Sequence, residues 1–127
     1  MNVIGIGTDI IEVLRIANMI ERHGELFLRR VYTNWEIEYC NARKAAVHHF
    51  AGRWAAKEAI LKALGTGWAN GIHWVDMEVR NEPGGEPRVS LGGRAREIAE
   101  ELGIRSMPIS ISHCRHYATA YAMALGD

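Results

Sequence analysis

The residue pattern predicts an α+β fold. Helical and strand-like tracts interleave irregularly, and the later strands lie close together in sequence; both features disfavour a doubly wound parallel sheet. Residues 3–11 are rich in Val, Ile, Gly and Thr, which predicts a buried opening strand. Val13, Ile16, Ala17 and Ile20 then recur at helical spacing, so residues 13–23 form a helix that Gly24 stops. Residues 25–31 make a second short helical turn. Thr33 and Glu36 have the spacing of a capping box and start a helix at Asn34.

The longest helical tract covers residues 44–64, rich in Ala, Leu, Lys and Glu, and ends at Gly65. Residues 72–79 read as a partly alternating strand. The Asn, Pro and Gly of residues 81–87 predict a hairpin turn, and residues 88–91 its returning strand. Residues 94–102 form an amphipathic helix with Ala95, Ile98, Ala99 and Leu102 on one side. Ile109 and Ile111 alternate with Ser110 and Ser112 in a strand over residues 107–114, and residues 117–125 complete a terminal strand pair.

A chain of 127 residues suits one domain, 1–127. Fifteen basic residues balance fifteen acidic ones, which argues against a general nucleic-acid binder, whose phosphate contacts need a basic excess. No apolar run is long enough for a membrane-spanning helix, and the N-terminus lacks a basic export signal. The expectation is a cytoplasmic protein with no membrane partner, in which Cys40 and Cys114 stay reduced.

Charge is uneven beneath this balance. Residues 43–62 hold Arg43, Lys44, Arg53, Lys57 and Lys62 against Glu58 alone, a net of +4. Glu58 stands four residues before Lys62 on one helix face, with Trp54 a turn earlier. Two readings are open: a solvated i,i+4 ion pair, or a site where Glu58 holds a cation and Lys62 touches phosphate. Asp9 follows Gly5, Gly7 and Thr8 and serves either as a helix cap or as a second cation ligand. Two carboxylates with phosphate oxygens and water would suit Mg²⁺. Zinc is disfavoured: His113 and His116 would point to opposite faces of a strand, and His48 and His49 would diverge on a helix. Gly65-Thr66-Gly67 is either a helix C-cap or a place for backbone N–H groups to approach phosphate. It lacks the Walker A spacing. His113, at a strand end, is either structural or a ligand group.

Four segments together resemble one family. Gly5-Ile6-Gly7-Thr8-Asp9-Ile10-Ile11-Glu12 with Arg15-Ile16 resembles the opening motif of the holo-acyl-carrier-protein synthases. Phe50-Ala51-Gly52-Arg53-Trp54-Ala55-Ala56-Lys57-Glu58-Ala59, continuing through Lys62-Ala63-Leu64-Gly65-Thr66-Gly67, resembles their second signature. Ser110-Ile111-Ser112-His113 with Tyr117-Ala118 is similar to the third, and Asp76-Met77-Glu78-Val79 with Asn81 and Pro87 also falls in place. The likeness covers nearly the whole chain in the family's order and at its short length.

The resemblance implies a 4′-phosphopantetheinyl transferase-like fold, an antiparallel-rich sheet packed against a long helix, assembled as a homotrimer with sites between subunits. It implies transfer of 4′-phosphopantetheine from coenzyme A to a serine of apo acyl carrier protein, with release of adenosine 3′,5′-bisphosphate, in support of fatty acid synthesis. By motif position Asp9 and Glu58 are the Mg²⁺ ligands, Glu58 also serves as proton acceptor, directly or through water, and Lys62 contacts the diphosphate. Gly65, Thr66 and Gly67 line the nucleotide; Lys44, Arg53 and His113 hold coenzyme A phosphates; Asn81 and Pro87 belong to a loop near the adenine. Arg15, Met19 and Arg22 form the docking face for an acidic carrier. Competing expectations are a Mg²⁺-dependent phosphohydrolase and a coenzyme A-binding or structural trimer module without transferase activity.

Overall fold

In a computed structural model, which describes residues 1–68 and 70–127, the chain forms five α-helices and six strands among the described residues. The order is β1 (Asn2–Glu12), α1 (Val13–His23), α2 (Glu25–Val31), α3 (Asn34–Asn41), α4 (Ala46–Leu64), β2 (Met77–Asn81), β3 (Pro87–Leu91), α5 (Gly93–Glu101), β4 (Ile104–Ser106), β5 (Ile109–His113) and β6 (Tyr117–Gly126). Strand β6 is the centre of an antiparallel sheet. Strand β1 pairs along one edge, from Asn2↔Gly126 to Glu12↔Tyr117, while β4 and β5 share the other edge. Strands β2 and β3 form a separate hairpin. The α+β class expected from the sequence is the one observed.

The inner face of the sheet is made of very small residues so that α4 can lie close against it. Strand β6 presents Ala118, Ala120, Ala122 and Ala124, all essentially buried, and α4 answers with buried Ala55, Ala56, Ala59 and Ala63. On β1 the inward positions are Gly5 and Gly7. A Cβ on Gly5 would run into the Ala63 carbonyl, and one on Gly7 into the Ala59 carbonyl. Backbone meets backbone here, which only glycine permits. Because side chains alternate along a strand, Asp9 shares the inward face with Gly5 and Gly7 and is carried to the rim of the same helix.

Other boundaries differ from expectation for local reasons. Helix α4 starts at Ala46 rather than Lys44; residues 42–45 are a turn. It ends at Gly65, whose φ of 77° is the left-handed cap the sequence promised. The strand expected over residues 72–79 begins only at Met77, because Trp74–Asp76 is a 3-10 turn in which Asp76 Oδ2 accepts from the His73 N–H at 3.0 Å. It then runs on to Asn81, inside the expected turn. Leu102 caps α5 and is exposed, whereas Ala95, Ile98 and Ala99 are buried. Strand β4 was not foreseen; three residues are too few to show alternation.

A buried ion pair locks the helices to the hairpin. The capping box forms, with Glu36 Oε1 accepting from the Thr33 N–H at 2.8 Å. The same carboxylate accepts from Lys57 Nζ at 2.7 Å and from the Val79 N–H at 2.8 Å. Lys57 also donates to the carbonyls of Val31, at 2.7 Å, and Trp74, at 3.3 Å, so all three ammonium hydrogens have partners. Both side chains are fully buried.

Candidate functional site

Lys62, on the last turn of α4, leans toward the helix N-terminus as helical side chains do. Its Nζ donates to the Thr8 carbonyl at 2.8 Å and lies 3.4 Å from Asp9 Oδ1. Of the two readings left open for Glu58 and Lys62, the solvated i,i+4 ion pair does not form among the described residues; Lys62 makes this cross-element contact instead. Nor is Asp9 a helix cap: it lies inside β1, opposite Ala120, and α1 begins four residues later. Thr119 Oγ1 donates to the Asp9 carbonyl at 2.9 Å and fixes the backbone there.

Asp9 and Glu58 are electrostatically coupled carboxylates, and burial raises both above the ordinary carboxyl range. For Asp9 the ammonium of Lys62, then Arg15, opposes the rise. For Glu58 a hydrogen bond from Trp68 and the charge of Lys62 oppose it, while Asp9 adds to it. Two partly desolvated like charges at one rim are what a divalent cation would neutralise. Among the described residues no three of His, Cys, Asp and Glu gather as a metal-holding group. The donor set is two carboxylates, which fits Mg²⁺, an ion that keeps several waters and takes substrate phosphates as further ligands.

A second cluster lies elsewhere on α4. A small pocket of about 130 Å³ is lined by His48, His49, Gly52, Arg53, Asn81, Gly85, Pro87, Ile111 and His113. Thus Arg53 and His113, expected at the coenzyme A phosphates, meet Asn81 and Pro87, expected near the adenine, while Lys44 is not among the lining residues. Arg53 is almost fully buried; its Nε donates to the Val79 carbonyl at 3.2 Å and its Nη2 to Asn81 Oδ1 at 2.5 Å. Asn81 Nδ2 donates in turn to the Gly85 carbonyl at 2.9 Å and shapes the hairpin turn. The histidines contradict the sequence expectation. His48 and His49 do not diverge, since their rings lie 5.4 and 5.9 Å from that of His113. Strand β5 ends at His113, so His113 and His116 are not opposed across a strand.

The +4 of residues 43–62 is therefore not one basic face. Lys57 is neutralised by Glu36 in the interior, Arg53 lines the pocket, and Arg43 lies 3.3 Å over the Tyr39 ring. Lys44 is exposed in the turn before α4, and Lys62 is half exposed at the carboxylates. Gly65, Thr66 and Gly67 follow α4, with left-handed φ at both glycines and nothing near the Cβ positions.

Arg15 and Arg22 are exposed on α1, and Met19 borders an open groove of about 600 Å³ with Leu26, Phe27, Arg30, Trp54 and Trp74. An adjoining cavity of about 710 Å³ shares Arg30, Trp54 and Trp74 and reaches Glu58 and Trp68. Phe27 stacks on Trp54 at 6.0 Å, and Trp74 contacts both Trp54, at 4.4 Å, and Trp68, at 4.1 Å. The sequence reading noted Trp54 but missed this aromatic wall. Its members are scattered from residue 27 to residue 74, and only the fold lines them up.

The family model of the 4′-phosphopantetheinyl transferase superfamily matches residues 5–122. A Koribacter versatilis holo-[acyl-carrier-protein] synthase is 49% identical over 118 residues, 93% of this chain and 94% of that protein. The chain belongs to the holo-[acyl-carrier-protein] synthases of that superfamily. Among solved structures, the synthase of Neisseria meningitidis superposes with a TM-score of 0.89 at 30% identity, covering 98% of this chain and 99% of that one. The Helicobacter pylori synthase, solved in complex with coenzyme A, gives 0.81 at 30% identity, over 94% and 99%. Coenzyme A and apo acyl carrier protein are the partners of this family's transferase reaction. No described helix is long and apolar enough to cross a membrane.

Proposed function

We propose that the protein is a cytoplasmic, Mg²⁺-dependent homotrimer that moves 4′-phosphopantetheine from coenzyme A to a carrier serine, in support of fatty acid synthesis. The observation that carries the reading is the meeting of Asp9, Glu58 and Lys62 at one rim, in a chain of this family. Asp9 and Glu58 would hold Mg²⁺. When bound, the ion supplies charge neutralisation to the diphosphate under attack. Lys62 reaches the same phosphates and offsets the charge on the departing adenosine 3′,5′-bisphosphate. Glu58, its proton affinity raised by burial, accepts the serine proton directly or through a water. The aromatic groove from Met19 to Trp68 leads from the arginine-bearing helix to this carboxylate, which supports carrier docking at Arg15, Met19 and Arg22.

Coenzyme A has more phosphate than this rim can hold. Arg53 precedes Lys62 by nine residues, about two and a half helical turns, so the two project from opposite sides of α4 roughly 13 Å apart along its axis. One ligand cannot readily reach both on the same subunit. The outer sheet face supplies the remedy: Ile4, Ile6, Ile10, Tyr121 and Met123 are large, apolar and exposed. Such a face marks an association surface, and a trimer closed through it would set one subunit's Arg53, Asn81, Pro87 and His113, with Lys44, opposite another's Asp9, Glu58 and Lys62. Gly65, Thr66 and Gly67, open and free of side-chain bulk, would let the nucleotide approach.

The test follows nucleotide release. Adenosine 3′,5′-bisphosphate should appear only when coenzyme A, Mg²⁺ and an apo carrier are all present. Release without a carrier would favour the phosphohydrolase, and binding without release would favour the module lacking transferase activity.

A further inference from the structure

The three-histidine pocket has a feature that phosphate binding alone does not require. Every charged or titratable side chain facing it is cationic or can become so: His48, His49 and Arg53 from α4, and His113 from β5. The ring of Tyr39 of α3 meets that of His49 edge-on at 5.9 Å, and Arg43 lies over the Tyr39 ring at 3.3 Å. None of the lining residues is acidic. His48 Nε2 is 3.1 Å from the Arg115 carbonyl, which can only accept, so Nε2 carries the hydrogen and Nδ1 is left to take a second proton.

We infer that His48 and His49 take up protons when a phosphate monoester dianion enters this pocket, so that anion affinity is set by pH. Before binding, burial, followed by Arg53, His113, Arg43 and His48, holds His49 below the usual imidazole range. A bound dianion opposes the cationic part of that cause and favours the imidazolium. A His49 held in its neutral form keeps the empty pocket from concentrating unpaired charge beside Arg53, and proton uptake supplies the charge when ligand arrives. The inference rests on the coenzyme A reading above and adds two residues to it.

The experiment is calorimetric titration of the full-length protein with adenosine 3′,5′-bisphosphate, in buffers of unlike ionisation enthalpy, from about pH 6 to pH 8.5 around the imidazole range. The wild type should take up about one proton near pH 7 and gain roughly tenfold in affinity over a pH unit, the change that one linked proton allows. His48→Gln and His49→Gln, each at a half-exposed position, should each reduce this uptake, and together should abolish most of it while binding at pH 8.5 persists. The phosphate's own second ionisation is common to all variants and cancels in the comparison. Undiminished uptake in the double variant would overturn the inference and leave the coenzyme A reading intact. Failure of the wild type to bind the nucleotide at any pH would sink both.

Discussion

Asp9, Glu58 and Lys57 show how far one charged side chain differs from another. The first two are carboxylates that burial makes reluctant to ionise. A folded-state pKa above the unfolded value means that stability is fullest at low pH and is lost as the pH rises through the folded pKa, so at neutral pH both charges are a cost. Asp9→Asn or Glu58→Gln should therefore abolish transfer yet raise the melting temperature at pH 7. That gain should disappear as the pH falls below the ordinary carboxyl range. A loss of melting temperature at pH 7 would show instead that these groups serve the fold. Burial disfavours the charge on Lys57 too, but here a buried partner depends on it. Burial lowers its pKa against the pull of Glu36, and Lys57→Met would leave Glu36 buried and unpaired. The loss should be about 3–5 kcal/mol in denaturant unfolding, with transfer failing only as the fold fails. Nothing in the local sequence separates Lys57 from Lys62, since the partner that neutralises it stands 21 residues away. The capping spacing of Thr33 and Glu36 was legible, but the further use of the same carboxylate was not.

At the scale of elements, the site depends on how near β1 comes to α4. The long helix, expected over residues 44–64, and the opening strand β1 were readable because Ala-rich and Val/Ile-rich tracts are long enough to show a pattern. The glycines in the strand pointed to a close approach, and α4 is what approaches. Gly7→Ala should force the two backbones apart at a cost of about 1–3 kcal/mol or more, the usual range for overpacking. Because the same contact sets Asp9 against Lys62 and Glu58, kcat should fall more than stability does. A fully active Gly7→Ala protein would mean that the spacing is not what aligns these residues. The 3-10 turn at Trp74 escaped the sequence reading because its aromatic and aliphatic residues mimic a strand. The histidine pocket escaped because it joins helix start, hairpin turn and strand end. Adjacent residues on a helix diverge, yet both of these flank a ring brought by another element.

For the whole molecule, the neutral total charge hides an uneven distribution: a carboxylate rim, a carboxylate-free pocket of Arg53 and three histidines, and an arginine-bearing face on α1. With the rim and the pocket on opposite sides of α4, as proposed, a lone subunit would be a poor coenzyme A site. Ile6→Glu on the outer sheet face should yield monomers by light scattering and remove transfer with them. Co-expressed Glu58→Ala and His113→Glu chains, each inactive alone, should recover activity as mixed trimers, because some interfaces then join two intact halves. Arg15→Glu should raise KM for the carrier far more than for coenzyme A; equal effects would remove Arg15 from the docking face.

The most direct test weighs the carrier. After incubation with this protein, coenzyme A and Mg²⁺, an apo acyl carrier protein should gain the mass of one phosphopantetheine group on its serine, and Glu58→Gln protein should give none. An unchanged mass on every cognate carrier tried, with the wild-type protein folded and coenzyme A bound, would contradict the account.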